Sequence, residues 1–300
     1  MELYRYLFLP NQYAIKQFFL AILVMLCLLG CDGKKRSVLL DEFRSSNAHS
    51  VPEISVHRGG KGILNYPENS LETLQYLNKR IDAIYEIDIS ETKDGQLVLF
   101  HDTNLERTTT GYGLLRNKTQ AELEKLVLKD DYNNVTVYKI PLFKSVLNWA
   151  KKNQVVLTVD VKRGVPFSKV LEAINETETQ NNCILITYTL DQALEVYELA
   201  PNLMISVSAR NNRELDALLQ SKLPTQNMIA FTGTRLSSAR LYERLAAHDI
   251  ISMLGTLGNL DRRAAVRGDA LYKDWKKLGI NIIATDRPLD VYEVLKSKKQ

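Results

Sequence analysis

The sequence predicts an α/β fold, a (β/α)8 TIM barrel with a small insertion after its second strand. Three observations lead there. From Ile54 onward, short apolar and β-branched runs alternate with amphipathic helical patterns. That order builds a parallel sheet covered by helices. The alternation fills residues 54–300, close to the roughly 250 residues of such a barrel. Finally, one connection is too short to join parallel neighbours, which reduces nine candidate strands to a ring of eight.

The chain begins with a different kind of segment. Residues 18–30 form an uncharged apolar run, FFLAILVMLCLLG, preceded by Arg5 and Lys16. As a helix it would span about 20 Å, short of a hydrocarbon core of roughly 30 Å, but right for a secretory signal. It ends in Leu28-Leu29-Gly30-Cys31, which resembles the lipobox of bacterial lipoproteins. The organisation expected is therefore a lipoprotein signal peptide over 1–30, a polar tether over 31–53 with one short helix at 38–43, and the barrel domain over 54–300. Cys31 would carry lipid and hold the protein to a membrane of the bacterial envelope, facing the periplasm or the surface. Of the three cysteines, Cys27 would leave with the signal, and Cys183 sits in an apolar run as an inert core thiol. Composition is that of a globular protein, with 45% hydrophobic and 25% charged residues. A net charge of +4 on 300 residues is too dilute for a nucleic-acid binder, whose basic residues gather on one face.

Strands are expected at 54–57, 83–89, 97–101, 155–161, 183–187, 203–207, 227–231, 250–254 and 281–284. Helices are expected at 70–79, 142–152, 169–177, 190–199, 212–219, 237–247 and 264–278. Parallel neighbours need a crossover of about a dozen residues. The link over 90–96 has Lys93-Asp94-Gly95 at its centre and reads as a hairpin turn. Strand 97–101 therefore pairs antiparallel to the second strand and opens an insertion over about 91–140. Trp149 and Trp275 should pack on the barrel, His248 should end a helix, and Lys296, Lys298 and Lys299 should form a solvated tail.

Charged residues at strand ends carry the chemistry, because the C-terminal rim is where a barrel keeps its active site. Glu86 and Asp88 are two apart on the second strand and so point to one face. Two carboxylates facing the barrel axis should raise each other's proton affinity unless a cation lies between them. Asp160 supplies a third carboxylate and Lys162 shares its face. Hard oxygen donors of this kind suit Mg2+ or Ca2+, and a salt-bridge network is the alternative. His57 and His101 are two of only four histidines, and each follows an apolar strand. Two imidazoles at one rim suit a general acid and a general base. Together with Arg58, the set fits a phosphate ester.

His57-Arg58-Gly59, Pro67-Glu68-Asn69-Ser70, Glu86-x-Asp88, Thr92-Lys93-Asp94-Gly95, His101-Asp102, Arg107-Thr108-Thr109-x-Gly111, Asp160-x-Lys162 and Thr285-Asp286-Arg287-Pro288 occur in that order. The series resembles the glycerophosphodiester phosphodiesterase family, in a bacterial lipoprotein form. The resemblance implies a TIM barrel with an insertion near the second strand. It implies metal-dependent hydrolysis of small glycerophosphodiesters to glycerol 3-phosphate and an alcohol. By resemblance Glu86, Asp88 and Asp160 hold the metal, and His57 and His101 are the acid/base pair. Arg58 and Lys162 meet the phosphate, while Glu68 and Asn69 belong to a rim motif. Which histidine is the acid, and whether water or the glycerol 2-hydroxyl attacks, the residues leave open.

Two departures from the family pattern stand out. Asp160 occupies a position where the family usually has Glu, one methylene longer. A Trp-Thr-Val-Asn-like strand end is replaced here by Met253-Leu254-Gly255-Thr256, so the pocket wall should lack an aromatic. Two other readings are a related barrel phospholipase of lysophospholipase D type, and a non-catalytic phosphodiester-binding lipoprotein. Both histidines and three carboxylates in place weigh against the last.

Overall fold

Runs rich in Ile, Val and Leu need both faces covered, and a barrel wrapped in helices covers them. A computed structural model describes residues 51–297 together with Leu40 and Phe43. The expected signal, Cys31 and nearly all of the tether lie outside the described residues. Among the described residues no helix is long and apolar enough to cross a membrane.

The strands are β1 (Ile54–Val56), β2 (Ile84–Glu91), β3 (Leu97–Leu99), β4 (Leu157–Val161), β5 (Cys183–Ile186), β6 (Met204–Ser208), β7 (Met228–Phe231), β8 (Ile251–Gly255) and β9 (Ile282–Thr285). All pair in parallel except β3, and β1 pairs with both β2 and β9, which closes an eight-stranded ring. β3 lies antiparallel on β2, with Ile89 opposite Leu99. Gly95 at φ 79° turns that hairpin, in a backbone region that glycine enters without strain. The strand expectations, including the hairpin, agree with this topology.

The helices are α1 (Leu71–Asn78), α2 (Gln120–Leu123), α3 (Phe143–Asn153), α4 (Phe167–Glu176), α5 (Leu190–Leu199), α6 (Asn212–Leu219), α7 (Ala239–Ala247), α8 (Asn259–Arg267), α9 (Leu271–Lys276) and α10 (Pro288–Lys296). Ser70, Thr189 and Asn211 cap α1, α5 and α6 by accepting hydrogen bonds from backbone N–H groups of the first turn. Trp275 is buried and Trp149 packs on the core, while His248 ends α7. Two expectations need correction. The single helix over 264–278 is two helices, because Gly268 at φ 108° ends α8. Lys296 is not in a tail but closes α10, which starts on Pro288 at a position where its fixed φ and missing N–H cost nothing.

The core has two parts. One fills the space between the strands and the helices. The other fills the lower barrel interior with Ile84, Val156, Ile184, Met204, Ile229, Ile251 and Ile282. Leu40 and Phe43, only 0% and 3% exposed, pack into that same cluster. They lie well before β1 in sequence, within the stretch read as tether, and they complete the floor.

Candidate active site

Side chains on β2 alternate, so Ile87 and Ile89 join the outer core while Glu86 and Asp88 face inward. In the register of β2 against β4, Asp88 lies opposite Asp160. One carboxylate oxygen from each of Glu86, Asp88 and Asp160 comes within 4.8 Å of the others. Lys162, just beyond β4, places its ammonium on Asp88 and, at 2.6 Å, on Oδ2 of Asp160. The expected mutual repulsion is therefore unequal. Burial, then Asp88 and Asp160, push the Glu86 carboxyl well above its ordinary range. Burial would do the same to Asp88, but Lys162 beside it holds Asp88 below its ordinary value.

The loop after β1 is stitched onto these carboxylates. The backbone N–H of Arg58 donates to Oε2 of Glu86 at 2.6 Å. The Asn69 amide meets Asp88 twice, donating Nδ2 to the carboxylate at 2.6 Å and accepting the Asp88 N–H at 3.0 Å. Arg58 and Asn69 both have φ 53°, a left-handed conformation that asparagine enters readily but arginine does not, and the surrounding bonds hold Arg58 in it. Glu68 is buried and takes ion pairs from Arg58 and Arg107. Those two cations keep it ionised against the cost of its burial.

Both histidines are backed by a carboxylate. Nδ1 of His57 lies 2.6 Å from Asp286, which this partner keeps ionised despite burial. Asp286 is set by Asp261, a buried residue of α8 that accepts from its N–H, from the Thr285 hydroxyl and from the Tyr272 hydroxyl. His101 is carried to the mouth by the β3 hairpin, and Nδ1 lies 2.7 Å from Asp102. Arg107, ahead of His101, holds Asp102 well below its ordinary range. Nε2 of His101 receives a hydrogen bond from Arg58 at 2.8 Å. Arginine has no acceptor, so Nε2 is the accepting atom of this pair.

These groups line a cavity of about 310 Å³ at the C-terminal mouth. His57, Glu86, Asp88, His101, Asp160 and Lys162 are on its wall, whereas Arg58, Glu68 and Asn69 brace it from behind. The opposite wall sets Ile186, Phe231, Met253, Leu257 and Ala284 among the hydroxyl-bearing Ser206, Ser208 and Thr234. The wall does hold an aromatic, from β7 rather than β8. Phe231 stands so close to Gly255 that a Cβ there would come within 2.9 Å of its ring. Sequence reasoning gave no role to Asp102, Arg107, Asp286, Asp261 or Tyr188. The first three sit in the quoted motifs, which was the available signal.

A parallel barrel with three inward carboxylates and two carboxylate-backed histidines at its C-terminal mouth is built as a (β/α)8 hydrolase. Comparison with known proteins narrows this class. The profile of the Glycerophosphoryl diester phosphodiesterase family matches residues 57–284. The chain is 30% identical over 160 residues to the Bacillus subtilis protein YqiK, spanning 51% of this chain and 65% of that one. It is 24% identical over 246 residues to a glycerophosphodiester phosphodiesterase of Bacillus altitudinis, covering 79% of this chain and 96% of that one. A crystal structure of a glycerophosphoryl diester phosphodiesterase from Parabacteroides distasonis superposes with a TM-score of 0.78 at 28% identity, covering 87% of this chain and 93% of that one. The chain belongs to the glycerophosphoryl diester phosphodiesterase family.

Proposed function

We propose that the protein hydrolyses glycerophosphodiesters to glycerol 3-phosphate and an alcohol, with a divalent cation, Mg2+ or Ca2+, held by Glu86, Asp88 and Asp160. The observation that carries this reading is the convergence of three carboxylates and two carboxylate-backed histidines on one cavity. The donor set fits a hard cation: three oxygens within 4.8 Å, with Glu86 driven toward protonation by its burial and its neighbours. When bound, such a cation polarises a phosphoryl oxygen and offsets charge in the transition state.

The chain's own residues supply the rest. Lys162 on the wall binds the phosphate and orients it between the histidines, and Arg58 assists from behind His101, which its guanidinium reaches. His101, whose Nε2 accepts from Arg58, would take the proton of the attacking hydroxyl as general base once Arg58 turns to the phosphate. His57, its Nδ1 held by ionised Asp286, carries a proton toward the cavity and delivers it to the leaving alkoxide. Asp102 and Asp286 fix the ring orientations and stabilise each imidazolium as it forms. Phe231, Met253 and Leu257 take the carbon skeleton of the substrate and keep water from that side.

Turnover of glycerophosphocholine, with and without a chelator, tests the proposal. Activity should vanish on chelation and return with Mg2+ or Ca2+. Full turnover after exhaustive chelation would remove the cation from the scheme, and no turnover under any condition would favour the non-catalytic reading. We further infer from residues 18–31 that Cys31 is lipidated and holds the enzyme at the cell envelope. A processed Cys31→Ser protein that still fractionates with membranes would refute this.

A further inference from the structure

Asp160 has an arm one methylene shorter than that of Glu86 beside it, and both of its oxygens are engaged. Oδ2 takes the ammonium of Lys162 at 2.6 Å, and Oδ1 takes the hydroxyl of Tyr188 at 2.9 Å. Tyr188 stands just past β5 on a braced rim. The N–H and the hydroxyl of the preceding Thr187 both donate to the Ser206 carbonyl of β6, at 2.9 and 3.1 Å. The Tyr188 N–H donates to the side chain of Gln192 at 2.8 Å, and Thr189 caps α5 through the Gln192 N–H. The residue is 56% exposed, so core packing does not account for a large aromatic there. Its ring lines the cavity and its hydroxyl reaches down to the carboxylate. Lys162 cannot serve as the guide for Asp160, because it is shared with Asp88 and an ammonium is a point charge without a preferred direction. A phenolic O–H on a two-torsion ring is directional.

We propose that Tyr188 is a positioning residue for the cation site: its hydroxyl holds Oδ1 of Asp160 so that this shorter carboxylate completes the set with Glu86 and Asp88. The assignment rests on the cation reading given above. Groups that orient a metal ligand from behind are commonly worth about 10- to 100-fold in metal affinity.

Mn2+ binding to the full chain, read by paramagnetic resonance of the free ion, tests it without reference to turnover. Tyr188→Phe should raise the Kd by about tenfold or more. Asp160→Glu, which lengthens the arm by one methylene, supplies a second background, and adding Tyr188→Phe to it should cost less than about threefold relative to Asp160→Glu alone. An unchanged Kd for Tyr188→Phe overturns the proposal. So does a tenfold loss that persists in the Asp160→Glu background, since the tyrosine would then act elsewhere. If the parent chain shows no Mn2+ site that Glu86→Gln abolishes, the cation reading fails as well, and that result is distinct from either of the others.

Discussion

Each histidine presents one nitrogen to the cavity and ties the other to a carboxylate, His57 to Asp286 and His101 to Asp102. The difference lies on the cavity side, where Arg58 donates to His101. On the proposed scheme that nitrogen of His101 takes the proton of the attacking hydroxyl, and His57 gives one to the leaving group. Replacing either with Ala should lower kcat by about a hundredfold or more, with little effect on folding. Nitrophenyl phosphodiesters leave without protonation, so the His57 variant should recover on them and the His101 variant should not. Near-normal kcat in either variant on a glycerophosphodiester would return that histidine to a structural role. At this scale the wall residues were legible because strand alternation and motif spacing are local. Their supports were not. Asp286 lies 229 residues from His57, and Tyr188 lies 28 from Asp160. No periodicity links such pairs before the barrel closes. Nor could spacing reveal that Lys162 would hold Asp88 down while Glu86 went up.

Among elements, the turn after β1 does the most for the site. It places Arg58 on Glu86 and Asn69 on Asp88, and Gly60 lets it lie flat on α1. Gly60 has φ 127°, and a Cβ there would come within 2.6 Å of Thr73 and 2.8 Å of Leu77. Gly60→Ala should therefore cost on the order of 2 kcal/mol in stability and should also lower activity, since Arg58 and Asn69 move with the turn. Urea unfolding would check the first part, and an unchanged midpoint would show that α1 yields without strain. The sequence reading located most elements within a few residues, because apolar runs bounded by turn residues carry a strong signal. It joined α8 to α9 because the amphipathic pattern continues across Gly268, whose φ of 108° is a property of the folded chain.

For the molecule as a whole, the barrel does not begin where its first strand begins. Leu40 and Phe43 close the floor beneath Ile84, Val156 and Ile282. Phe43→Ala should cost about 3–5 kcal/mol, the range for truncating a buried phenylalanine. A chain started at residue 51 should show a comparable loss in thermal or urea unfolding. Equal stability of the shortened chain would mean that the strands hold the floor alone. The sequence reading placed a short helix at 38–43 but set it in the tether, since a mixed-charge stretch gives no sign that it packs under the strands.

The same floor governs traffic. Among the described residues apolar side chains fill the lower barrel, and the cavity opens at the C-terminal mouth by His57, His101 and Tyr188. Among the described residues that filling leaves a departing alcohol the way it came. On the proposed chemistry, glycerol 3-phosphate and incoming diester contend for one entrance and one set of cationic groups. The pace of the enzyme would then depend on clearing the threshold as much as on breaking the ester bond.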